Sequence, residues 1–173
     1  MTGLDRALEP LRAAPGGPRW TPPSRWHLTL LFLGDVPADR LAPLTDAVAP
    51  VVAATPPLSL QLAGGGRFGP RRRPAVCWVG LDGDVVGLTD LAVRLAAAAR
   101  ALGLPVEDRP FRPHLTVGRW RSGRPADGNL PERLAGYAGP AWPVAEVVLL
   151  RSHLGREPGY EQVTGWALPQ RAG

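Results

Sequence analysis

The chain has 173 residues and a formal net charge of +5, from 20 basic and 15 acidic side chains. Every basic residue is an arginine, and the lack of lysine excludes a Schiff-base lysine and a Walker-type phosphate loop. The single cysteine, Cys77, excludes an internal disulfide and a cysteine-rich zinc site. The length predicts one domain, and we expect a cytoplasmic chain without a signal peptide or a membrane span.

The arginine bias has two explanations. GC-rich coding accounts for it together with the 21 glycines and 21 prolines. A guanidinium group also matches phosphate bidentately, so an arginine-rich surface favours anionic partners. The composition therefore suggests a phosphate or nucleic-acid ligand without establishing one.

Hydrophobic spacing predicts the elements of the first half. A short helix ends at Arg12, and the chain from Trp20 to Trp26 is expected to be extended. A buried strand runs from His27 to Gly34, and a helix from Pro37 to Ala54.

The middle of the chain continues the mixture of strands and helices. Alternation predicts a strand over Leu58–Leu62, followed by a glycine-rich loop over Gly64–Gly69. A strand over Val76–Leu81 and an alanine-rich helix over Leu88–Leu102 come next.

The second half predicts a short strand over His114–Gly118 and one or two helical turns between Asn129 and Tyr137. Closing strands are expected over Val144–Leu150 and Tyr160–Leu168. The elements do not follow strict βαβ alternation, so the fold class is α+β.

Two of the three histidines open the same pattern. His27-Leu28-Thr29-Leu30 and His114-Leu115-Thr116-Val117 lie 87 positions apart on predicted strands. Residues i and i+2 of a strand share a face, so each histidine points the same way as its threonine while the apolar residues face a core. Two such strands side by side would present two imidazoles and two hydroxyls to a cleft.

This set suits an anionic, tetrahedral substrate. One histidine can deprotonate a nucleophile while the other protonates a leaving oxygen, and the hydroxyls can bind the non-bridging oxygens. A strand threonine beside a histidine has a plain structural alternative as a β-former, but its repetition at i+2 favours the binding role.

The residues around the two motifs resemble one known family. Trp26–Gly34 and Phe111–Arg119, with Leu149–Leu154 and Tyr160, are similar to the two-histidine (2H) phosphoesterases. Within them, the resemblance is to the bacterial and archaeal RNA 2',3'-cyclic phosphodiesterases, once called 2'-5' RNA ligases. It covers nearly the whole chain.

The resemblance implies a fold, a reaction and site residues. The fold would be a single bilobal α+β domain over residues 1–173, with antiparallel sheets, pseudo-twofold symmetry and a central cleft. The reaction would convert an RNA terminal 2',3'-cyclic phosphate to a 2'-phosphate without a metal or other cofactor. His27 would be the proton donor, His114 the proton acceptor, and Thr29, Thr116 and Arg119 the phosphate-binding residues.

The N-terminus departs from the family pattern. Members usually begin with an apolar strand, whereas this sequence starts inside the expected first helix. If that strand is absent, one lobe has an unpaired sheet edge.

Other residues carry weaker hypotheses. Phe68 and Trp120 are candidates for stacking on a terminal base. His153 lacks a threonine two positions on and is expected to be structural. Most arginines near His114 are expected to be solvated, although one or two could steer RNA; these are Arg109, Arg112, Arg121 and Arg124.

Three alternatives remain open from the residues. The same site could hydrolyse small cyclic nucleotides or catalyse the reverse reaction, 2'-5' RNA ligation. The chain could also be an RNA-end binding module that no longer turns over. The expected partner is RNA or a nucleotide ending in a 2',3'-cyclic phosphate, and the expected state is a monomer away from membranes.

Overall fold

The computed structural model describes residues 2–153 and 159–170, and these form two units. The first unit contains the residues up to Leu28 together with Leu60–Gly83 and His114–Trp142. The second contains Thr29–Ser59, Asp84–Pro113 and the described residues from Pro143 onward. Both histidines of the repeated motif therefore belong to the first unit.

A five-stranded sheet forms the frame of the first unit. Its order is β1-β4-β3-β2-β5, and the pairs β1–β4, β4–β3 and β3–β2 are antiparallel. The strands are β1 (Arg19–Trp20), β2 (Ser59–Phe68), β3 (Val76–Gly83), β4 (Leu115–Arg119) and β5 (Ala138–Pro143).

Helix α1 (Thr2–Arg12) supplies the apolar layer of this unit. Leu4, Leu8 and Leu11 recur at helical spacing and are at most 4% exposed. They share one core with Val79 of β3 and Leu115 of β4. Burial of each leucine side chain contributes about 2 kcal/mol, so one face of the sheet is fixed as the core face.

A β-bulge alters the direction of side chains along β4. Trp78 of β3 lies opposite Thr116, but the next residue, Cys77, lies opposite Gly118. Val117 is therefore the extra residue, and both Val117 and Gly118 are buried. In a regular strand, residues three positions apart lie on opposite faces. Because of the bulge, Arg119 lies on the same face as Thr116.

The second unit combines two helices with a hairpin. Helix α2 spans Ala38–Ala53, α3 spans Val85–Ala101, and β6 (Glu146–His153) pairs antiparallel with β7 (Gly159–Ala167). Helix α2 packs against α3 and β7. Its buried residues, Leu44, Val48 and Val52, follow the helical period.

Arg94 of α3 closes the end of α2. Its guanidinium group donates to the carbonyl of Val51 at 3.2 Å and to Oγ1 of Thr55 at 2.9 Å. Asp90 accepts from the same guanidinium at 2.8 Å. Carbonyls in the last turn of a helix need such partners, so Arg94 has a structural role.

Most predicted elements are confirmed. The structure has the predicted α+β class. It also contains the predicted helices, which are α1, α2 and α3, and the predicted strands that correspond to β3, β4, β6 and β7. The predicted helical turn between Asn129 and Tyr137 is a 3-10 helix over Leu130–Leu134. The sequence did not predict β5.

Three local predictions are wrong. The glycine-rich stretch is not a loop, because β2 continues through it to Phe68 with an irregularity between Ala63 and Gly65. The chain from Trp20 to Trp26 is interrupted by a 3-10 helix over Pro23–Arg25. His27–Gly34 forms one isolated bridge rather than a buried strand, because apolar composition does not supply a hydrogen-bonding partner.

No helix in residues 2–153 and 159–170 is long and apolar enough to cross a membrane.

The bulge generates a prediction about Gly118. A Cβ atom there would lie 2.7 Å from Cγ of Pro18 and 3.2 Å from the carbonyl oxygen of Arg19. Gly118→Ala should therefore lower the free energy of unfolding by about 1–3 kcal/mol, because backbone near β1 must move. Urea denaturation measures the change.

Gly136→Ala is the matched control, since a Cβ atom at Gly136 meets nothing within 4 Å. Equal stability of the two variants would contradict the tight packing of β1 on the bulge.

Candidate active site

The two His-Leu-Thr motifs meet at one backbone contact. Leu28 forms an isolated antiparallel bridge with Leu115. Continuing this register by one residue sets His27 opposite Thr116. The predicted pairing of the two motifs is therefore confirmed at this point.

Their side chains divide between two faces. Leu115 is buried in the core, and Leu28 packs against it. His27, Thr116 and His114 alternate with these leucines and are half-buried on the opposite face. His27 and His114 are thus diagonal neighbours, a relation that separates residues on adjacent strands by roughly 7–8 Å.

His27 is held by its own backbone neighbourhood. Its Nδ1 atom lies 2.9 Å from the carbonyl oxygen of Arg25. A carbonyl oxygen can only accept, so Nδ1 carries a proton and donates it. The proton that can be exchanged with a ligand is therefore the one on Nε2.

His114 lies in an aromatic cluster, which we define as Phe68, Trp78 and the His114 ring. The Phe68 and His114 rings are edge-to-face, with centroids 4.8 Å apart and planes at 89°. The Trp78 centroid lies 6.5 Å from His114 and 5.7 Å from Phe68. Such contacts restrict the orientation of the imidazole ring.

Two arginines bring positive charge to this face. Arg119 at the end of β4 lies directly opposite Arg19 of β1, and both are exposed. Neither has a carboxylate within 4 Å among the described residues. Like charges opposite each other in a ladder repel, and an anion between them relieves the repulsion.

Three other predicted residues have different surroundings. Thr29 is the first residue of the second unit and is exposed, so its phosphate-binding role stays a prediction. Trp120 packs against the core of the first unit and donates from Nε1 to the carbonyl of Gly16 at 2.8 Å. His153 lies on β6 with Nε2 3.0 Å from Glu161. Leu154, part of the C-terminal match, lies outside the described residues.

Cysteine chemistry is unsuited to this site. Cys77 is fully buried in the core, and burial raises the pKa of its thiol to about 12. A thiol that stays protonated at neutral pH is a poor nucleophile. Within the part of the chain that the structure describes, no three His, Cys, Asp or Glu side chains are grouped so as to hold a metal ion.

The sequence analysis missed two candidate site residues, Trp78 and Arg19. The pattern around Trp78 indicates a place in the core or at its rim, and no pattern points to Arg19. Arg19 meets Arg119 only through pairing across 100 positions of sequence. The predicted strand around Trp78 indicates which residues lie on the same face as Trp78. That alternation is the sequence signal that could have identified Trp78 as a candidate.

The aromatic cluster generates a prediction about Phe68. Its ring shifts the resonances of the adjacent imidazole, so Phe68→Leu should move the His114 ring protons toward random-coil positions in the NMR spectrum. Phe32→Leu is the control, because Phe32 is 65% exposed. Unchanged His114 resonances in Phe68→Leu would contradict the contact.

Sequence comparison identifies the relatives of the chain. Residues 3–156 match the family model of the 2'-5' RNA ligase superfamily. An RNA 2',3'-cyclic phosphodiesterase of Geobacillus stearothermophilus is 38% identical over 152 residues, which are 86% of this chain and 47% of that protein. One from Bacillus subtilis is 30% identical over 146 residues, 84% of this chain and 78% of that protein. The match thus spans about half the length of the Geobacillus protein and about three quarters of the length of the Bacillus protein.

Solved structures give the same result. A Thermus thermophilus protein has a TM-score of 0.75 at 26% identity, covering 99% of this chain and 91% of that one. Escherichia coli LigT in complex with 3'-AMP has a TM-score of 0.75 at 26% identity, covering 98% and 91%. With its repeated His-Leu-Thr motif and these matches, the chain belongs to the 2'-5' RNA ligase superfamily, the 2H phosphoesterases.

Proposed function

We propose that this chain hydrolyses a ribose 2',3'-cyclic phosphate at the end of an RNA to a 2'-phosphate. The observation that carries the proposal is the Leu28–Leu115 bridge, because it brings His27, Thr116 and His114 to a single face. The relatives named RNA 2',3'-cyclic phosphodiesterase support the same reaction.

The chemistry divides between the two histidines. His114 accepts a proton from water as its oxygen attacks phosphorus, and the bond from phosphorus to the 3'-oxygen breaks. His27 donates the Nε2 proton to that leaving oxygen, which becomes a 3'-hydroxyl group. The phosphate stays on the 2'-oxygen, His114 has gained a proton and His27 has lost one, and proton exchange with solvent restores both rings.

The contact with Arg25 supports the role given to His27. With Nδ1 donating to the backbone carbonyl before and after transfer, the ring does not need to rotate when Nε2 loses its proton. The edge-to-face contact with Phe68 supports a fixed orientation of His114. Fixed geometry of this kind lowers the entropic cost of reaching the transition state.

Charge on the phosphoryl oxygens needs donors as it develops. The Thr116 hydroxyl lies on the same face as the histidines, and Arg119 joins that face through the bulge. We assign both to the phosphoryl oxygens, with Thr29 as a further ligand suggested by its position in the motif. Donors aimed at developing negative charge are a large part of such catalysis.

The charge of the chain bears on its substrate. A net charge of +5 and an arginine-only basic set are consistent with an RNA substrate. We propose that the chain acts as a monomer in the cytoplasm, without a metal ion.

The histidines are tested first. In EDTA, the chain should convert an oligoribonucleotide with a 2',3'-cyclic phosphate to a product with a 2'-phosphate, identified by mass and phosphatase sensitivity. His27→Ala and His114→Ala should each lower kcat by about 100-fold or more, because each removes a proton-transfer group.

His153→Ala is the matched control, since His153 is exposed on β6 and pairs with Glu161. Retained turnover in His27→Ala or His114→Ala would contradict the assignment. Tight RNA binding without turnover by the parent chain would favour a binding module, and loss of activity in EDTA would contradict a metal-independent reaction.

The phosphate-binding residues are tested separately. Arg119→Gln and Thr116→Val should each lower kcat/KM by about 10-fold or more, because each removes a hydrogen bond to a charged oxygen. Arg119→Lys should recover only part of the loss, since an ammonium group does not form the bidentate contact.

Arg133→Gln removes the same charge from an exposed position on the 3-10 helix and serves as the control. An equal loss in Arg133→Gln would mean that overall charge, rather than contact with phosphate, governs kcat/KM.

A further inference from the structure

A second basic cavity lies in the first unit, beyond the end of β4. Its volume is about 380 Å³, and its lining does not include His27, His114, Thr116 or Arg119. The lining residues are Gly16, Gly17, Arg19, Trp120, Arg121, Arg124 and Pro125. We call it the arginine pocket.

The arginine pocket has positive charge without a compensating acid. Three of its seven lining residues are arginines and none is acidic. In the described part of the chain, no carboxylate lies within 4 Å of the Arg19, Arg121 or Arg124 guanidinium. Guanidinium groups concentrated in one concave site favour a phosphate group, which each can bind through two hydrogen bonds.

The walls of the pocket are fixed by long-range bonds. The carbonyl oxygen of Gly16 accepts from Nε1 of Trp120 at 2.8 Å and from the backbone amide of Asp127 at 2.9 Å. Gly16 has a φ of +72°, and a Cβ atom there would lie 2.9 Å from the Asp127 nitrogen. The segment that carries Arg121 and Arg124 is therefore anchored at both ends.

Asp127 is the acidic residue nearest in sequence to Arg121 and Arg124, and its carboxylate takes part in the turn that anchors the segment. Oδ1 of Asp127 accepts from the backbone amide of Asn129 at 2.9 Å, a local turn contact. Trp120 contributes an aromatic surface to the same pocket, and its hydrogen bond to Gly16 holds the indole in place. A fixed aromatic ring beside guanidinium groups is a combination that binds single-stranded nucleic acid.

A basic track connects this pocket with the candidate active site. Arg119 lies opposite Arg19, and Arg19 also lines the pocket. Trp120 follows His114 by six positions, which is at most roughly 20 Å in an extended strand and is shortened by the bulge at Val117. Arg119, which we assign to the phosphoryl oxygens, directly precedes Trp120, so the pocket begins beside a ligand of the reacting phosphate.

We propose that the arginine pocket binds a phosphodiester group of the RNA chain on the 5' side of the cyclic end, with a neighbouring base against Trp120. This inference rests on the proposed function, because a 2',3'-cyclic phosphate closes the 3' end and leaves only the 5' side to extend. The pocket thereby makes an oligoribonucleotide a better substrate than a cyclic mononucleotide.

The test compares two substrates in one variant. Arg121→Gln combined with Arg124→Gln should raise KM for a short oligoribonucleotide with a 2',3'-cyclic end by about 10-fold, and leave kcat/KM for a nucleoside 2',3'-cyclic monophosphate within about twofold. The salt dependence of kcat/KM for the oligoribonucleotide should weaken by about 0.7 in log–log slope for each phosphate that the variant no longer neutralises.

Arg6→Gln combined with Arg133→Gln is the control, because both side chains are exposed in the first unit, do not line the pocket and remove the same charge. Arg124→Gln alone, with a smaller rise in KM, guards against misfolding of the double variant. An equal effect in the control, or an equal effect on both substrates, would overturn the proposal.

A binding measurement separates this proposal from the proposed function. Fluorescence anisotropy of a labelled oligoribonucleotide ending in a 3'-hydroxyl should show weaker binding in the variant with both Arg121 and Arg124 replaced, even if the parent chain turned over neither substrate. Inorganic phosphate should compete only weakly. Binding of inorganic phosphate in the pocket with unchanged oligoribonucleotide affinity would overturn the assignment to RNA.

Discussion

The candidate site depends on one antiparallel backbone contact. The bridge between Leu28 and Leu115 joins motifs that are 87 positions apart and sets their leucines toward the core. Because strand residues alternate between faces, burial of those leucines leaves His27 and His114 on the opposite face. The hydrophobic effect thus fixes which way the polar groups point, and the register fixes their separation.

The bulge in β4 has a comparable effect on charge. Without the extra residue Val117, Arg119 would lie on the core face, where an unpaired guanidinium would be strongly destabilising. With it, Arg119 faces Arg19, and two like charges are brought together at an exposed ladder position. This repulsion destabilises the unliganded chain. The same concentration of positive charge favours binding of a phosphate at this end of the sheet.

Sequence reasoning succeeded where a local pattern carried the information. The repeated motif indicated the pairing that the Leu28–Leu115 bridge shows, and helical periodicity indicated α2 and α3. It failed where long-range packing decides the structure. Glycines near Gly65 suggested a loop, but a Cβ atom there would lie 2.6 Å from the Leu134 side chain, so the glycine permits the 3-10 helix to pack closely on β2. Partner strands could not be predicted either. The segment His27–Gly34 has the composition of a strand, yet it forms a single bridge, at Leu28, because topology sets the hydrogen-bonding partners. The arginine pocket, closed by the bond from Trp120 to Gly16 across 104 positions, could therefore be located only once the fold was known.

The central claim is that His27 and His114 act together on one phosphorus atom. A double-mutant cycle tests it most directly, with single-turnover rates measured for His27→Ala, His114→Ala and the combined variant on one cyclic-phosphate oligoribonucleotide. Residues that act as a unit are strongly non-additive, so the account predicts that the combined variant is about as slow as the slower single variant. Losses that multiply would contradict it, because they would mean that the two histidines contribute independently.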